Sequence, residues 1–250
     1  MVLHGERDGS GPPVVLLHGF GQTGRCWGPL AAALARDHDV LRLDAPGHGG
    51  SSAVAADLPT TGRLVAAAGG AAVYLGYSMG ARMALHVASE APESVRGLVL
   101  LGGTPGIEDD GERAERHTAD LALAARIRRD GVPAFVDHWL ALPMFAGLPP
   151  EGRFVDERRR NTAEGLATSL ELAGTGAQAP LWSALPAIHV PVLVLAGADD
   201  HRYAAIAERT AAAIGPNATV ELVPGAGHSA HLEQPARFVD IVRPWLRAVA

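Results

Sequence analysis

The stretch Ala72-Val73-Tyr74-Leu75-Gly76-Tyr77-Ser78-Met79-Gly80-Ala81-Arg82 decides how this chain is read. A short apolar run leads into a serine set between two glycines, and a run with helical spacing follows. The spacing predicts a buried strand over 72–75 and a helix over 81–88. A strand that turns this sharply into a helix projects the serine oxygen above the end of the sheet. The turn is crowded, so the positions flanking the serine must be tiny, and Gly76 and Gly80 meet that demand. The serine also sits at a helix N-terminus, where the macrodipole favours developing negative charge. The pattern G-x-S-x-G is weak by itself; the strand before it and the helix after it give it weight.

Outward from the serine, similar apolar runs recur at 14–17, 40–43, 98–101 and 192–196, with a weaker one at 219–223. Such runs suit a parallel sheet covered on both faces. Helical spacing is present at 29–35, 203–214 and 235–248. This alternation argues for an open α/β sheet. It breaks between about 106 and 186, where helical patterns at 112–129, 132–139 and 157–172 stand between prolines and glycines. An all-helical insertion in such a sheet is expected to form a lid over the strand ends, where these sheets bind ligands.

A reactive serine needs a base, and the base needs a carboxylate to fix its tautomer. Gly225-Ala226-Gly227-His228 follows the last expected strand, and Gly197-Ala198-Asp199-Asp200 follows the strand at 192–196. Both segments therefore fall at the carboxyl edge of the sheet. The chain order Ser78, Asp200, His228 is that of the α/β-hydrolase fold. Spacing after Gly197 favours Asp200 over Asp199. An oxyanion hole needs two backbone N–H groups; Met79 supplies one, and Phe20 in Leu17-His18-Gly19-Phe20 is assigned the other. His18, His48 and His231 are expected to shape loops, and Cys26 to pack. No cluster carries metal-ligand spacing.

The expected architecture is one α/β-hydrolase domain over 1–250, a mostly parallel sheet flanked by helices. Its core takes up 1–105 and 186–250, and a helical lid over 106–185 is inserted after the sixth strand. A hydrophobic fraction of 48% can fill such a core. A net charge of −6 provides no basic face for nucleic acid. All 21 basic residues are arginine, so Schiff-base and P-loop lysine chemistry are excluded. One cysteine rules out an intramolecular disulfide. With no apolar run long enough to span a membrane and no leader-like start, a cytoplasmic protein without a membrane partner is expected.

Arg82 lies one helical turn beyond Ser78, on a helix that is normally buried. A buried guanidinium is costly unless paired. It must therefore meet an internal acid or point into the pocket toward an anionic substrate; the residue alone leaves both open. The lid holds many more arginines, most of them suited to a solvated mixed-charge face.

Taken with Gly102-Gly103-Thr104-Pro105-Gly106-Ile107, Arg113-Ala114-Glu115-Arg116, Trp139 with Pro143-Met144-Phe145, and Gly174-Thr175-Gly176-Ala177-Gln178, the elbow segment resembles the 2-succinyl-6-hydroxy-2,4-cyclohexadiene-1-carboxylate synthases of menaquinone biosynthesis. The resemblance covers nearly the whole chain. It implies a lyase without cofactor, whose triad makes the serine a base that eliminates pyruvate from a small tricarboxylate. It places substrate-binding arginines at Arg82, Arg116 and within Arg158-Arg159-Arg160, where spacing to Gly165-Leu166-Ala167 favours Arg160 with Arg159 a close second, and pocket aromatics at Tyr77 and Trp139. The chain departs from the family pattern at Ala81 and at Arg202-Tyr203. The rival expectation is an esterase, thioesterase or carbon–carbon bond hydrolase of the same fold.

Overall fold

Apolar runs of this kind can be buried only if helices cover both faces of their sheet, and the chain is built that way. The computed structural model describes residues 1–249. Among these, seven strands form one sheet: β1 (Gly5–Gly9), β2 (Pro13–Leu17), β3 (Asp39–Leu43), β4 (Ala72–Tyr77), β5 (Val95–Leu101), β6 (Val192–Gly197) and β7 (Ala218–Val223). Their order is β1-β3-β2-β4-β5-β6-β7, parallel throughout except for β1, which pairs antiparallel with β3. The helices are α1 (Gly28–Leu34), α2 (Leu58–Gly69), α3 (Met79–Glu90), α4 (Asp110–Leu140), α5 (Val155–Arg158), α6 (Ala163–Ala173), α7 (His201–Ile214), α8 (Ala230–Glu233) and α9 (Pro235–Val249). None of the described helices is long and apolar enough to cross a membrane.

Strand alternation divides the core in two. Val15, Leu17 and Tyr74 point to the face covered by α2, α3 and α7. Val14, Leu16, Val73, Leu75 and Tyr77 point to the face covered by α1 and α9. A third apolar cluster, including Ile127, Phe135, Leu166 and Leu170, holds the cap together.

The cap enters after the fifth strand in chain order, not the sixth. Only β1 precedes β2, and the chain between β3 and β4 holds turns and α2 rather than a strand. β1 escapes an apolar-run reading because Gly-Glu-Arg-Asp-Gly is an exposed edge strand with nothing to bury. α2 likewise lies outside the expected helices; Asp57 caps it, accepting the Thr60 N–H, and its Leu58, Val65 and Ala66 are buried. The first cap helix bends at Gly131, whose φ of 80° interrupts α4 between the two expected helical segments. The helix expected over 157–172 is instead broken into α5 and α6. At the break Asn161 takes the Gly49 N–H on its Oδ1 and donates through Nδ2 to the carbonyls of Gly21, Gln22 and Arg158. Thr162 then caps α6 through the Gly165 N–H. Asn161 thereby ties the cap to two loops of the sheet.

Candidate active site

Ser78 is held at φ 54°, ψ −108° between β4 and α3, a conformation an L-residue adopts only at a cost. The close packing of this turn explains its glycines. A Cβ on Gly80 would lie 1.9 Å from the Leu17 carbonyl oxygen, and one on Gly76 would lie 2.2 Å from that of Gly80. The same closeness brings the end of β2, and with it Phe20, beside Met79.

The loops after β6 and β7 converge on the serine. His228 Nε2 lies 3.2 Å from Ser78 Oγ, and its Nδ1 lies 2.8 Å from Asp200 Oδ2. The other Asp200 oxygen caps α7 by accepting the Tyr203 N–H, so one carboxylate fixes both a helix start and an imidazole. Burial works to raise the Asp200 pKa, but the hydrogen bond and charge of His228, with the Tyr203 N–H and the charge of Arg202, together hold the carboxyl below its usual value. Asp199 is exposed.

The loop amides around Phe20 are engaged on both sides. Gly19 N–H donates to Gln22 Oε1 and Gly21 N–H to His48 Nε2. Among the described residues the Phe20 N–H has no such partner. Met79 N–H lies in the first turn of α3, where amides have no intrahelical acceptor. Two amides without a protein acceptor thus belong to residues that line the same cavity as Ser78. The histidine loop is clamped by a residue that no motif marks: Glu233 accepts the N–H groups of Gly227 and Ser229, on either side of His228, at 2.7 and 2.9 Å.

His18 and His48 do shape loops. Each accepts a backbone N–H on Nε2, from Ala45 and Gly21 respectively, and sets Nδ1 against a carbonyl, of Gly19 and Pro46. A neutral Nδ1–H tautomer satisfies all four contacts. Burial, the largest cause, pushes His48 and His231 down to about 3 from 6.5. Both therefore stay neutral in the fold while the unfolded chain takes up protons near 6.5. Stability present at neutral pH is lost as pH falls through that window. From about pH 7 to about pH 5, these two groups are expected to remove up to about 4 kcal/mol of unfolding free energy. Urea denaturation across that range checks this; a flat profile would mean that they already carry protons in the fold.

A cavity of about 530 Å³ opens above Ser78, lined by Phe20, Arg82, Arg116, Trp139 and Tyr203 among others. Arg82 is 6% exposed, and its Nη1 donates to the Ala173 carbonyl at 2.8 Å and to Gln178 Oε1 at 3.4 Å. No carboxylate of the described residues pairs with it, and it lines the cavity. Burial pushes its pKa down to about 10. Arg116 reaches the same cavity from α4, its Nε held by Asp120. Trp139 packs edge-on to Phe20 and keeps a buried Nε1–H without a partner. Arg202 and Tyr203 also line the cavity, and the Tyr203 ring lies 4.6 Å from that of His228.

Two expected positions fall elsewhere. Arg160 is 58% exposed, pairs with Glu157, and lines a separate polar pocket beside His4 and Arg42. The arginine of that trio buried between cap and core is Arg158, 1% exposed, with its Nε donating to the Arg153 carbonyl; Arg159 pairs with Asp137 outside. The short α5 ends at Arg158, so where that helix stops, not spacing to α6, sets which arginine turns inward. Tyr77 is buried beneath the site rather than lining it. It continues the Val73–Leu75 face of β4, and its hydroxyl meets Ser229 Oγ at 2.7 Å.

The alpha/beta hydrolase family model matches residues 14–241. The chain is 34% identical to the 2-succinyl-6-hydroxy-2,4-cyclohexadiene-1-carboxylate synthase of Salmonella heidelberg (strain SL476), over 99% of this chain and 100% of that one. It is 37% identical to a Bacillus subtilis (strain 168) protein given the same synthase name provisionally, over 94% and 90% of the two chains. The solved structure of MenH from S. aureus superposes with a TM-score of 0.90 at 28% identity, covering 98% of each chain. Fold, elbow and full-length identity agree: the chain is a member of the 2-succinyl-6-hydroxy-2,4-cyclohexadiene-1-carboxylate synthase family of α/β hydrolases.

Proposed function

We propose that this protein is a carbon–oxygen lyase of menaquinone biosynthesis. It eliminates pyruvate from 2-succinyl-5-enolpyruvyl-6-hydroxy-3-cyclohexene-1-carboxylate to give 2-succinyl-6-hydroxy-2,4-cyclohexadiene-1-carboxylate. The names of the two compounds define the electron flow. The ring carbon bearing the succinyl group loses a proton, and its electron pair forms a new ring double bond. The existing double bond shifts by one position, and the carbon–oxygen bond to the enolpyruvyl group breaks. The departing enol takes a proton on carbon to become pyruvate, so no water is consumed.

Ser78 Oγ is the base, its own proton passing to His228, while Asp200 stabilises the imidazolium. Negative charge developing on the succinyl ketone is met by the N–H groups of Phe20 and Met79. Arg82 and Arg116 clamp substrate carboxylates, for which guanidinium is suited by its paired donors. The observation that carries this reading is the buried, acid-free guanidinium of Arg82 opening onto the serine's cavity; a neutral ester would have no use for it.

The test is turnover of the enolpyruvyl substrate generated in situ, with pyruvate and diene absorbance followed together and p-nitrophenyl butyrate as a parallel substrate. Stoichiometric pyruvate and diene are expected. Ester cleavage without pyruvate release would move the enzyme to the hydrolase reading.

A further inference from the structure

Arg116 and Asp120 stand one turn apart on α4 and so share a face. As a fully exposed pair they would contribute only a few tenths of a kcal/mol, but only Arg116 is exposed, its side chain at 42%. Asp120 is 3% exposed and lines the cavity. Its Oδ1 accepts from Arg116 Nε at 2.8 Å, and its Oδ2 accepts from Gly176 N–H at 3.1 Å. Gly176 comes so close to α4 that a Cβ there would lie 2.1 Å from His117 N. The segment that Asp120 thereby holds runs from Ala173 to Gln178, the two residues that accept from Arg82. One buried carboxylate thus connects Arg116 on the cap to the residues that seat Arg82 on the elbow helix.

A free arginine side chain carries about 2 kcal/mol of rotamer entropy, which a ligand must overcome on binding. Holding Arg116 by Nε alone restrains the stem and leaves its terminal nitrogens without a partner among the described residues, on a side chain that lines the cavity. A carboxylate next to an anion site also repels the ligand, so its presence there calls for a compensating gain. We propose that Asp120 is a positioning residue for substrate recognition: it pre-orders Arg116 and registers it with Arg82, so that the two guanidinium groups meet two carboxylates of one ligand at once. This rests on the reading of Arg82 and Arg116 as carboxylate contacts.

The experiment is a double-mutant cycle on the full chain, with KM and kcat measured on the enolpyruvyl substrate for D120N, R116A and the pair together. R116A is expected to raise KM by about tenfold or more. D120N is expected to raise KM about fivefold with kcat within about twofold, and to add nothing in the R116A background. R116K, which keeps the charge but lacks a separate Nε–H for Asp120 and a planar pair of terminal donors for a carboxylate, is expected to resemble R116A; it also serves if D120N folds poorly. An unchanged KM in D120N, full additivity with R116A, or wild-type behaviour of R116K would overturn the positioning role. An unchanged KM in R116A itself would overturn the underlying substrate reading instead.

Discussion

Ser78→Ala is expected to lower kcat/KM by about 10³- to 10⁴-fold, with the loss in kcat and with substrate affinity retained. The reason is geometric. Ser78 Oγ is the oxygen within hydrogen-bond reach of His228 Nε2, and Ser78 shares its cavity with Phe20 and Met79. Alanine keeps the Cβ, so the unusual backbone at Ser78 is neither relieved nor worsened, and thermal stability should change little. His228→Ala is expected to match it, and the double variant to be no worse than either single one, because serine and histidine act as a unit. Single-turnover pyruvate release measures all three. A Ser78→Ala enzyme within about tenfold of the wild type would mean that another group takes the ring proton.

Arg82→Met is expected to separate function from stability. Methionine fills much of the arginine stem's volume and removes a buried positive charge that has only a carbonyl and a glutamine amide oxygen as partners. Losing an unpaired buried charge should leave the fold as stable or raise stability by about 1 kcal/mol or more. The same change removes the proposed charge-assisted contact to substrate; such a contact is worth about 1.5–3 kcal/mol, or roughly 10- to 100-fold in kcat/KM. Urea denaturation and steady-state kinetics on the same preparation check both halves. A destabilised but fully active variant would return Arg82 to a structural role.

The fold is legible because its signals are local. Four buried residues in a row can satisfy both faces only inside a covered parallel sheet. A serine between two glycines, with such a run before it and a helical run after it, marks a strand-to-helix turn too tight for any larger flanking residue. Asp200 stands out from Asp199 for a similar reason, since a residue that caps a helix must stand at a set distance from the strand before it. The exposed edge strand β1 carries no apolar signal, and its pairing with β3 is a long-range event. Glu233 escapes a sequence reading because nothing in the chain marks a glutamate as a clamp until the loop around His228 has folded onto it.

The amino-acid sequence by itself determined the strand–turn–helix elbow, the order and loops of Ser78, Asp200 and His228, and the presence of arginines beyond what a plain esterase needs. Only the tertiary structure decided where those arginines point. Arg158, Arg159 and Arg160 are adjacent in the chain, yet one is buried, one pairs on the cap surface and one faces a different pocket. Their fates depend on the break at Asn161, whose side chain bonds to loops more than a hundred residues away. Tyr77 likewise follows the face of its strand rather than the serine beside it. Local backbone geometry is written in neighbouring residues; the direction of a side chain in a docked cap is set by contacts that exist only once the cap is in place.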